Sequence, residues 1–171
     1  MLSQPLIKLL CVSTWFQVVW LMAVWGNAQL QWLTVICVAA TVSFALISAR
    51  FPFKPAMGLW VTGIVLDTLN QATGVLVFPT SHLPLWLISL WAIFIWYAHF
   101  IAPLVSQYPL AIVSIIGGIA GGASYLAGFK LGAVTFHYSL STTLVILFFE
   151  WTLFIYMILK VLKHEEGKLA E

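Results

Sequence analysis

The sequence predicts an all-α membrane protein, a compact bundle of six transmembrane helices whose N-terminus and C-terminus are both cytoplasmic. Three observations predict this fold class: the composition, the lengths of the apolar runs and the distribution of lysine and arginine. Of the 171 residues, 63% are hydrophobic and 7% are charged, against roughly 45–50% and about 25% in a soluble domain. A soluble fold cannot bury that much apolar surface, so the lipid bilayer is the expected partner of most of the chain.

Six apolar runs, separated by short stretches of proline, glycine and polar residues, give the helix count. Each run has about the 20 residues that cross a bilayer core of roughly 30 Å as an α-helix, which satisfies every backbone hydrogen bond internally. Because the connections are short, successive helices are expected to be antiparallel neighbours. The predicted runs are Leu6–Trp25, Leu30–Ala49, Ala56–Phe78, Pro84–Val105, Leu110–Phe129 and Tyr138–Leu162.

The runs leave no interval long enough for a second core, so one domain is predicted. Residues 1–163 form the six-helix transmembrane domain and residues 164–171 form a short polar cytoplasmic tail. We find no convincing internal repeat in the sequence. With the N-terminus inside, Lys130 alone among the seven basic residues lies outside, which is the positive-inside pattern. The expected cytoplasmic residues are Lys8, Arg50, Lys54, Lys160, Lys163 and Lys168.

The third run carries a stripe of polar and small residues. Gly63, Asp67, Asn70, Gln71 and Gly74 follow one another at spacings that place them on one helix face. Asp67 is about eleven residues from the cytoplasmic start of the run, which is near the bilayer centre. An aspartate there costs roughly 2.5–3.5 kcal/mol on insertion scales. The stripe is therefore expected to face other helices or a wet cavity rather than lipid.

Glu150 is a second carboxyl at the same depth, because it lies about twelve residues into the sixth run. If the two faces meet, one carboxyl is expected to be protonated and to hydrogen-bond the other. Two interpretations stay open. Asp67, Asn70, Gln71 and Glu150 form either a ligand-binding or proton-responsive site, or a hydrogen-bonded clamp between helices.

Lys130 lies at the expected outer end of the fifth run. It can snorkel towards the interface, or it can contact an anion such as a lipid head group together with His82 and His137 of the outer loops. Two histidines without a third ligand are a weak metal signal, and no metal site is predicted.

Glycines in and after the fifth run predict a helix-packing face. Small residues four positions apart let two helices approach closely. The partner helix can belong to the same chain or to a second copy. The run lacks the Lys-Ser/Thr ending of a phosphate loop, which argues against nucleotide binding. The packing glycines are Gly117, Gly118, Gly121, Gly122, Gly128 and Gly132.

Six blocks of the sequence carry a resemblance to a known family: Gly63–Asp67, Gly74–Pro79, Pro84–Leu87, Leu90–Trp91, Gly117–Gly118 and Gly122–Ala133. With these blocks the chain resembles the bacterial membrane proteins called domain of unknown function two-eight-seven-eight. The resemblance implies a small polytopic protein of the bacterial inner membrane without an assigned activity, encoded near fatty-acid-modifying enzymes. A weaker similarity, based on size and the Gly-x-x-x-Asp spacing, is to rod-shape proteins of the MreD type and to substrate-binding subunits of vitamin transporters.

The motif search identifies no catalytic residues and no cofactor site. Nucleophile elbows, zinc-binding helices and dinucleotide fingerprints are absent from the sequence, and no basic run indicates a nucleic-acid partner. We expect a non-enzymatic accessory or scaffold linked to membrane lipid modification, in contact with other membrane or lipid-modifying proteins. The alternatives are a small transporter or ligand-binding subunit with a polar midplane cavity, and an intramembrane lipid-modifying enzyme.

Overall fold

The computed structural model describes residues 4–48 and 51–170, and within these ranges the chain is almost entirely helical. Four of the helices are long and apolar enough to cross a membrane. The predicted all-α class is therefore confirmed, and the helices indicate a multi-pass membrane protein. The helices are α1 (Gln4–Ser48), α2 (Phe53–Ala72), α3 (Leu85–Val105), α4 (Leu110–Lys130) and α5 (Leu140–Ala170).

Helix α1 contains the first two predicted runs, so the described residues form five helices rather than six separate ones. The helix is interrupted at Asn27, where φ is 39° and ψ is −122°. Trp15 Nε1 donates a hydrogen bond of 3.0 Å to Thr41 Oγ1, 26 residues further along. In a straight helix these residues would be about 39 Å apart. The chain therefore reverses direction at Asn27, and the two halves of α1 lie against each other.

Asparagine is well suited to this reversal because its short polar side chain tolerates a positive φ better than most residues do. Its Oδ1 accepts a hydrogen bond of 2.7 Å from the backbone N–H of Ala28, the first residue of the second half of the helix. The loop expected between Trp25 and Leu30 is thus reduced to a single non-helical residue.

Helix α2 is shorter than predicted and is not among the four candidate spans. The third run was expected to continue to Phe78, but α2 ends at Ala72 and Gly74 has a φ of 77°. Glycine is the residue that adopts this left-handed conformation without strain. Gly74 therefore lies in a turn and not on the helical stripe. Polar residues such as Asp67 and Asn70 lower the hydropathy of α2, which is why its composition alone does not indicate a span.

The segments after α2 and α4 share one backbone geometry, which is an internal repeat that the sequence patterns did not reveal. Each helix is followed by a glycine with positive φ, 77° at Gly74 and 76° at Gly132. Three residues after each glycine, Val77 and Thr135 form an antiparallel bridge with backbone hydrogen bonds of 2.8 and 3.0 Å. These two residues are 58 positions apart. Because equivalent positions pair with each other, the two connections are related by a local two-fold axis at this bridge.

The tryptophans of the α2–α3 and α4–α5 hairpins each pack on a glycine. The ring of Trp91 in α3 packs on Gly63 of α2, and the ring of Trp151 in α5 packs on Gly121 of α4. A Cβ on either glycine would overlap the ring. The two rings stack on each other with centroids 5.2 Å apart and an interplanar angle of 11°. This aromatic pair forms the centre of the four-helix unit.

Helix α1 packs on α3 through a separate apolar cluster. Val19 from its first half and Val38 from its second half share this cluster with Ile93 and Trp96 of α3. Phe16 stacks on Tyr97 with ring centroids 4.5 Å apart. Both halves of α1 therefore pack against the bundle and not only against each other.

Helix α5 continues to Ala170, beyond the predicted end at Leu162. The segment predicted as a polar tail from residue 164 is thus helical as far as the structure describes it.

Candidate functional site

The Asp67 carboxyl is buried, with 1% of the residue exposed, and it accepts hydrogen bonds from two other helices. Trp91 Nε1 of α3 donates to Oδ2 at 2.7 Å. The Tyr125 hydroxyl of α4 lies 2.7 Å from both Oδ1 and Oδ2, and its single hydrogen can be donated to either. Asp67 therefore joins α2, α3 and α4 through side-chain hydrogen bonds.

Glu150 brings α5 into the same network. Asn70 lies one helical turn after Asp67, and its Nδ2 donates a hydrogen bond of 2.8 Å to Glu150 Oε2. A direct hydrogen bond between the two carboxyls was expected if their helix faces met. Among the described residues no such bond is present, and the Asn70 amide binds Glu150 instead. A cavity of about 10 Å³ touches both Asp67 and Glu150, which is about the space that one water molecule needs. The structure thus brings Asp67, Asn70 and Glu150 together in a polar cluster in which Asp67 and Asn70 are buried and Glu150 is half-buried. We call these three residues, with Tyr125 and Trp91, the Asp67 cluster.

Gln71 does not join the Asp67 cluster. Its Nε2 donates a hydrogen bond of 2.7 Å to the backbone carbonyl of Thr80, in the connection that follows α2. Sequence spacing placed Gln71 on the stripe with Asp67, but α2 ends one residue later, and the side chain turns towards the loop. Gln71 stabilises the connection rather than the polar interior.

The sequence analysis missed Tyr125 and Trp91, the two donors to Asp67. Both are aromatic residues inside apolar runs, and that context predicts a core or interface position for them. A signal was nevertheless present. The spacing Gly63-x-x-x-Asp67 recurs as Gly121-x-x-x-Tyr125, and Asp67 and Tyr125 are 58 positions apart, like the two bridge residues.

The glycines of α4 pack against α5, so their partner helix belongs to the same chain. A Cβ on Gly117 would approach Ile155, one on Gly118 would overlap Thr152, and one on Gly121 would overlap the indole of Trp151.

Three further glycines of the predicted face have more space. A Cβ on Gly122 would lie 3.9 Å from backbone atoms of α5, and one on Gly128 would lie 3.6 Å from Val134, which are ordinary contact distances. Gly132 differs from the prediction, because it lies in the turn after α4 and a Cβ there would meet nothing within 4 Å. Its positive φ, not helix packing, explains the glycine.

Lys130, His82 and His137 lie at the end of the bundle where the two bridged connections meet. All three side chains are exposed. Lys130 is the last residue of α4, and His137 lies beside Gly74 of the other connection. In residues 4–48 and 51–170 no group of three or more histidine, cysteine, aspartate or glutamate side chains is arranged to hold a metal ion.

A large apolar cleft is the second feature that sequence analysis missed. It has a volume of about 660 Å³ and is lined by α1, α3, α4 and α5. Trp20 of α1 donates a hydrogen bond of 3.0 Å to Ser124 of α4 across it. Tyr125 and Trp91 line the cleft, whereas Asp67 and Glu150 do not. The cleft depends on how separate helices pack, so no local pattern in the sequence indicates it.

The comparisons with known proteins identify a family but no activity. Neither the curated proteins nor the solved structures contain a match to the chain. A family model described as a protein of unknown function, DUF2878, matches residues 9–157, which is most of the chain and includes the Asp67 cluster and the cleft. The chain therefore belongs to the DUF2878 family, the family that its sequence resembles.

Proposed function

We propose that this protein is a non-enzymatic accessory of the bacterial inner membrane that holds an apolar lipid chain during membrane lipid modification. One observation carries the proposal. The polar side chains of the Asp67 cluster hydrogen-bond one another, whereas the large open space is an apolar cleft between membrane helices. Ligand pockets of this kind are mostly apolar and occupy roughly 300–1,000 Å³, and bundles form them between helices.

The proposal includes six membrane crossings with both termini in the cytoplasm. The reversal at Asn27 supports counting α1 as two crossings, and α2, with 20 residues, has the length of a third. The Lys8 Nζ lies 4.9 Å from the ring centroid of Phe100, which places the start of α1 beside the end of α3. The cytoplasmic end then carries Lys8, Lys54 and Lys160, in accord with the positive-inside rule.

The transporter alternative has less support from the geometry. A transporter requires a polar cavity near the bilayer midplane, and the cavity beside Asp67 and Glu150 has a volume of only about 10 Å³. A site of that size holds no solute larger than water.

An intramembrane lipid-modifying enzyme has one observation in its favour. Tyr125 lines the cleft, and its hydroxyl lies 2.7 Å from Asp67, so a titratable pair stands next to the space proposed for a lipid. The hydroxyl is directed at Asp67, however, and Tyr125 is 9% exposed. A clamp explains that orientation more directly than a catalytic pair does.

Lipid mass spectrometry of a deletion strain tests these proposals. We expect deletion to change the profile of modified membrane lipids. Expression of either the wild-type or the Tyr125→Phe protein in the deletion strain, at matched membrane abundance, should restore the original lipid profile. Restoration by wild type but not by Tyr125→Phe would favour the enzyme. An unchanged profile after deletion would contradict every role in lipid modification.

A further inference from the structure

The apolar cleft is covered by protein at the end where the two bridged connections meet. This is the outer end in the proposed topology. The Val77–Thr135 bridge joins the connections, and the side chains that line this end of the cleft are buried between them and the helices. A ligand therefore does not enter from this end. The buried lining residues are Phe78, Trp86, Ala133 and Val134.

A hydrogen bond crosses the cleft below the covered end. Trp20 Nε1 of α1 donates to Ser124 Oγ of α4 at 3.0 Å, and both residues line the cleft. On α4 the lining begins at Val113, eleven residues before Ser124, which is about 17 Å at 1.5 Å per residue. One leaflet of a hydrocarbon core of roughly 30 Å is about 15 Å thick. The space between this bond and the other end of the cleft therefore has the length of one acyl chain.

The other end of the cleft is accessible from the bilayer. Ile116 of α4 lines the cleft and is 60% exposed. Val105 ends the lining on α3 and Val113 begins it on α4, and both are half-buried. These two residues flank the α3–α4 connection, which lies at the lysine-rich end of the bundle. The cleft is thus open towards the cytoplasmic leaflet in the proposed topology.

Positive charge lies at this open end. Leu159 of α5 lines the cleft, and Lys163 follows one helical turn later on the same face, with its side chain exposed. The start of α1 adds Lys8, whose Nζ lies 4.9 Å from the ring centroid of Phe100 near the end of α3. Lysines at the cytoplasmic surface of a membrane attract anionic lipid head groups. An apolar cleft that ends at such lysines is complementary to an anionic lipid with its chain in the cleft.

We infer that the cleft binds one acyl chain of an anionic phospholipid that enters from the cytoplasmic leaflet. The phosphate group lies at Lys163, and the chain ends below the hydrogen bond between Trp20 and Ser124. This inference rests on the proposed function and narrows its ligand to one leaflet and one head-group charge. A lipid of the outer leaflet would have to place its head group at the covered end of the cleft.

Native mass spectrometry of the protein in detergent micelles tests the inference with two probes that have identical acyl chains. The probes are palmitoyl-oleoyl phosphatidylglycerol, which is anionic, and palmitoyl-oleoyl phosphatidylcholine, which is zwitterionic. We expect wild-type protein to bind the phosphatidylglycerol about fivefold more tightly, the effect of one lysine on an anionic lipid. Lys163→Gln should abolish this preference and leave binding of the phosphatidylcholine unchanged.

Lys130→Gln is the matched control for the charge. It removes a lysine from the opposite end of the bundle, where the cleft is covered, and it should retain the preference for phosphatidylglycerol. Loss of the preference in Lys130→Gln, or its persistence in Lys163→Gln, would contradict the proposed position of the head group.

A second pair of variants tests the path of the acyl chain. Ala120 lines the cleft on α4, whereas Ala123 of the same helix is exposed and lies outside the lining. Ala120→Phe should weaken binding of both phospholipids about tenfold by filling the cleft, and Ala123→Phe should not change it. Circular dichroism verifies folding, and Ala120→Leu, with a smaller side chain, replaces Ala120→Phe if that variant does not fold.

The outcomes distinguish this inference from the proposed function. If wild-type protein binds the two phospholipids equally and Ala120→Phe weakens both, the head-group inference is wrong and the lipid-chain function stands. If neither phospholipid binds, or if the variants at Ala120 and Ala123 have equal effects, both are wrong.

Discussion

The Asp67 side chain stabilises the bundle by joining helices that are distant in sequence. A carboxyl in hydrocarbon is unfavourable unless protein groups replace its hydration. Here Trp91 and Tyr125 supply donors from α3 and α4, and neighbouring Asn70 binds Glu150 of α5. Between the two interpretations that the sequence left open, these hydrogen bonds between helices favour the clamp.

Removal of the Tyr125 hydroxyl should destabilise the protein without preventing its insertion. Interhelical hydrogen bonds in membrane proteins contribute about 0.6 kcal/mol on average and up to about 1.7 kcal/mol. Because the hydroxyl lies 2.7 Å from both carboxyl oxygens of Asp67, we expect Tyr125→Phe to lower the free energy of unfolding by about 1–1.7 kcal/mol, the upper part of this range. Unfolding in mixed detergent micelles, followed by circular dichroism, measures this change.

A double-mutant cycle with Asp67→Asn isolates the bond. The combined variant should lose less stability than the sum of the single variants, since the shared interaction is removed only once. Tyr156→Phe is the matched control, because that tyrosine is 45% exposed. Fully additive losses would mean that Asp67 and Tyr125 do not interact.

Single glycines of α4 explain its close contact with α5. On Gly118 a Cβ would overlap the Thr152 hydroxyl and approach the Phe148 carbonyl. Overpacking a tight contact typically costs about 1–3 kcal/mol, so we expect Gly118→Ala to lower the unfolding free energy by that amount. The same detergent titration measures it.

Gly122→Ala is the control for this pairing. It adds the same methyl group to the same helix, but its Cβ would lie 3.9 Å from the nearest backbone atoms. Alanine also has the higher helix propensity, by about 1 kcal/mol in peptides. Gly122→Ala should therefore be neutral or stabilising, and an equal loss at both positions would contradict the packing described.

The turns that follow α2 and α4 share one backbone geometry and allow a matched prediction. Gly74 and Gly132 have φ values of 77° and 76°, and neither has a neighbour close enough to exclude a methyl group. A left-handed conformation costs an L-residue roughly 1–2 kcal/mol. We expect Gly74→Ala and Gly132→Ala each to lose about that amount, and to lose the same amount within error, in a thermal unfolding experiment.

Gly58→Ala provides the reference for this pair, because Gly58 is helical and a Cβ there would meet nothing within 4 Å. It should raise the unfolding temperature or leave it unchanged. A large difference between the Gly74 and Gly132 variants would show that the two turns are not equivalent in energy.

The elements differ in how well the sequence predicts them. Apolar runs locate α3 and α4 to within one residue, because length and hydropathy are local properties. The end of α2 was placed too late, since Val75 to Phe78 is apolar and only the backbone at Gly74 stops the helix. The interruption at Asn27 was expected as a longer loop, because sequence does not show how sharply a chain turns.

The candidate site was predictable only in part, for a related reason. Asp67, Asn70 and Glu150 are polar residues in apolar runs, and such residues must find partners. Their donors Tyr125 and Trp91 resemble ordinary apolar residues, and the cleft is produced by tertiary packing that no single segment encodes.

In the described part of the molecule, the cleft lies where α1 packs beside the two hairpins. The α2–α3 and α4–α5 hairpins meet at the Val77–Thr135 bridge and at the stacked tryptophans. Helix α1 packs on α3 and reaches α4 through the hydrogen bond from Trp20 to Ser124. The cleft lies between α1 and α4, so α1 forms one of its walls.

The six-crossing topology can be tested by cysteine labelling in intact cells. After replacement of the two free cysteines, Cys11 and Cys37, single cysteines are placed at the exposed positions Gln29, Ser81 and Ser106. A membrane-impermeant maleimide should label the first two, which lie at the Asn27 reversal and in the bridged connection. It should label Ser106→Cys only after permeabilisation, because the α3–α4 connection lies at the lysine-rich end. Labelling of Ser106→Cys in intact cells would show that the orientation is the opposite of the one proposed. If Ser81→Cys is labelled in intact cells but Gln29→Cys is not, α1 does not cross the membrane twice.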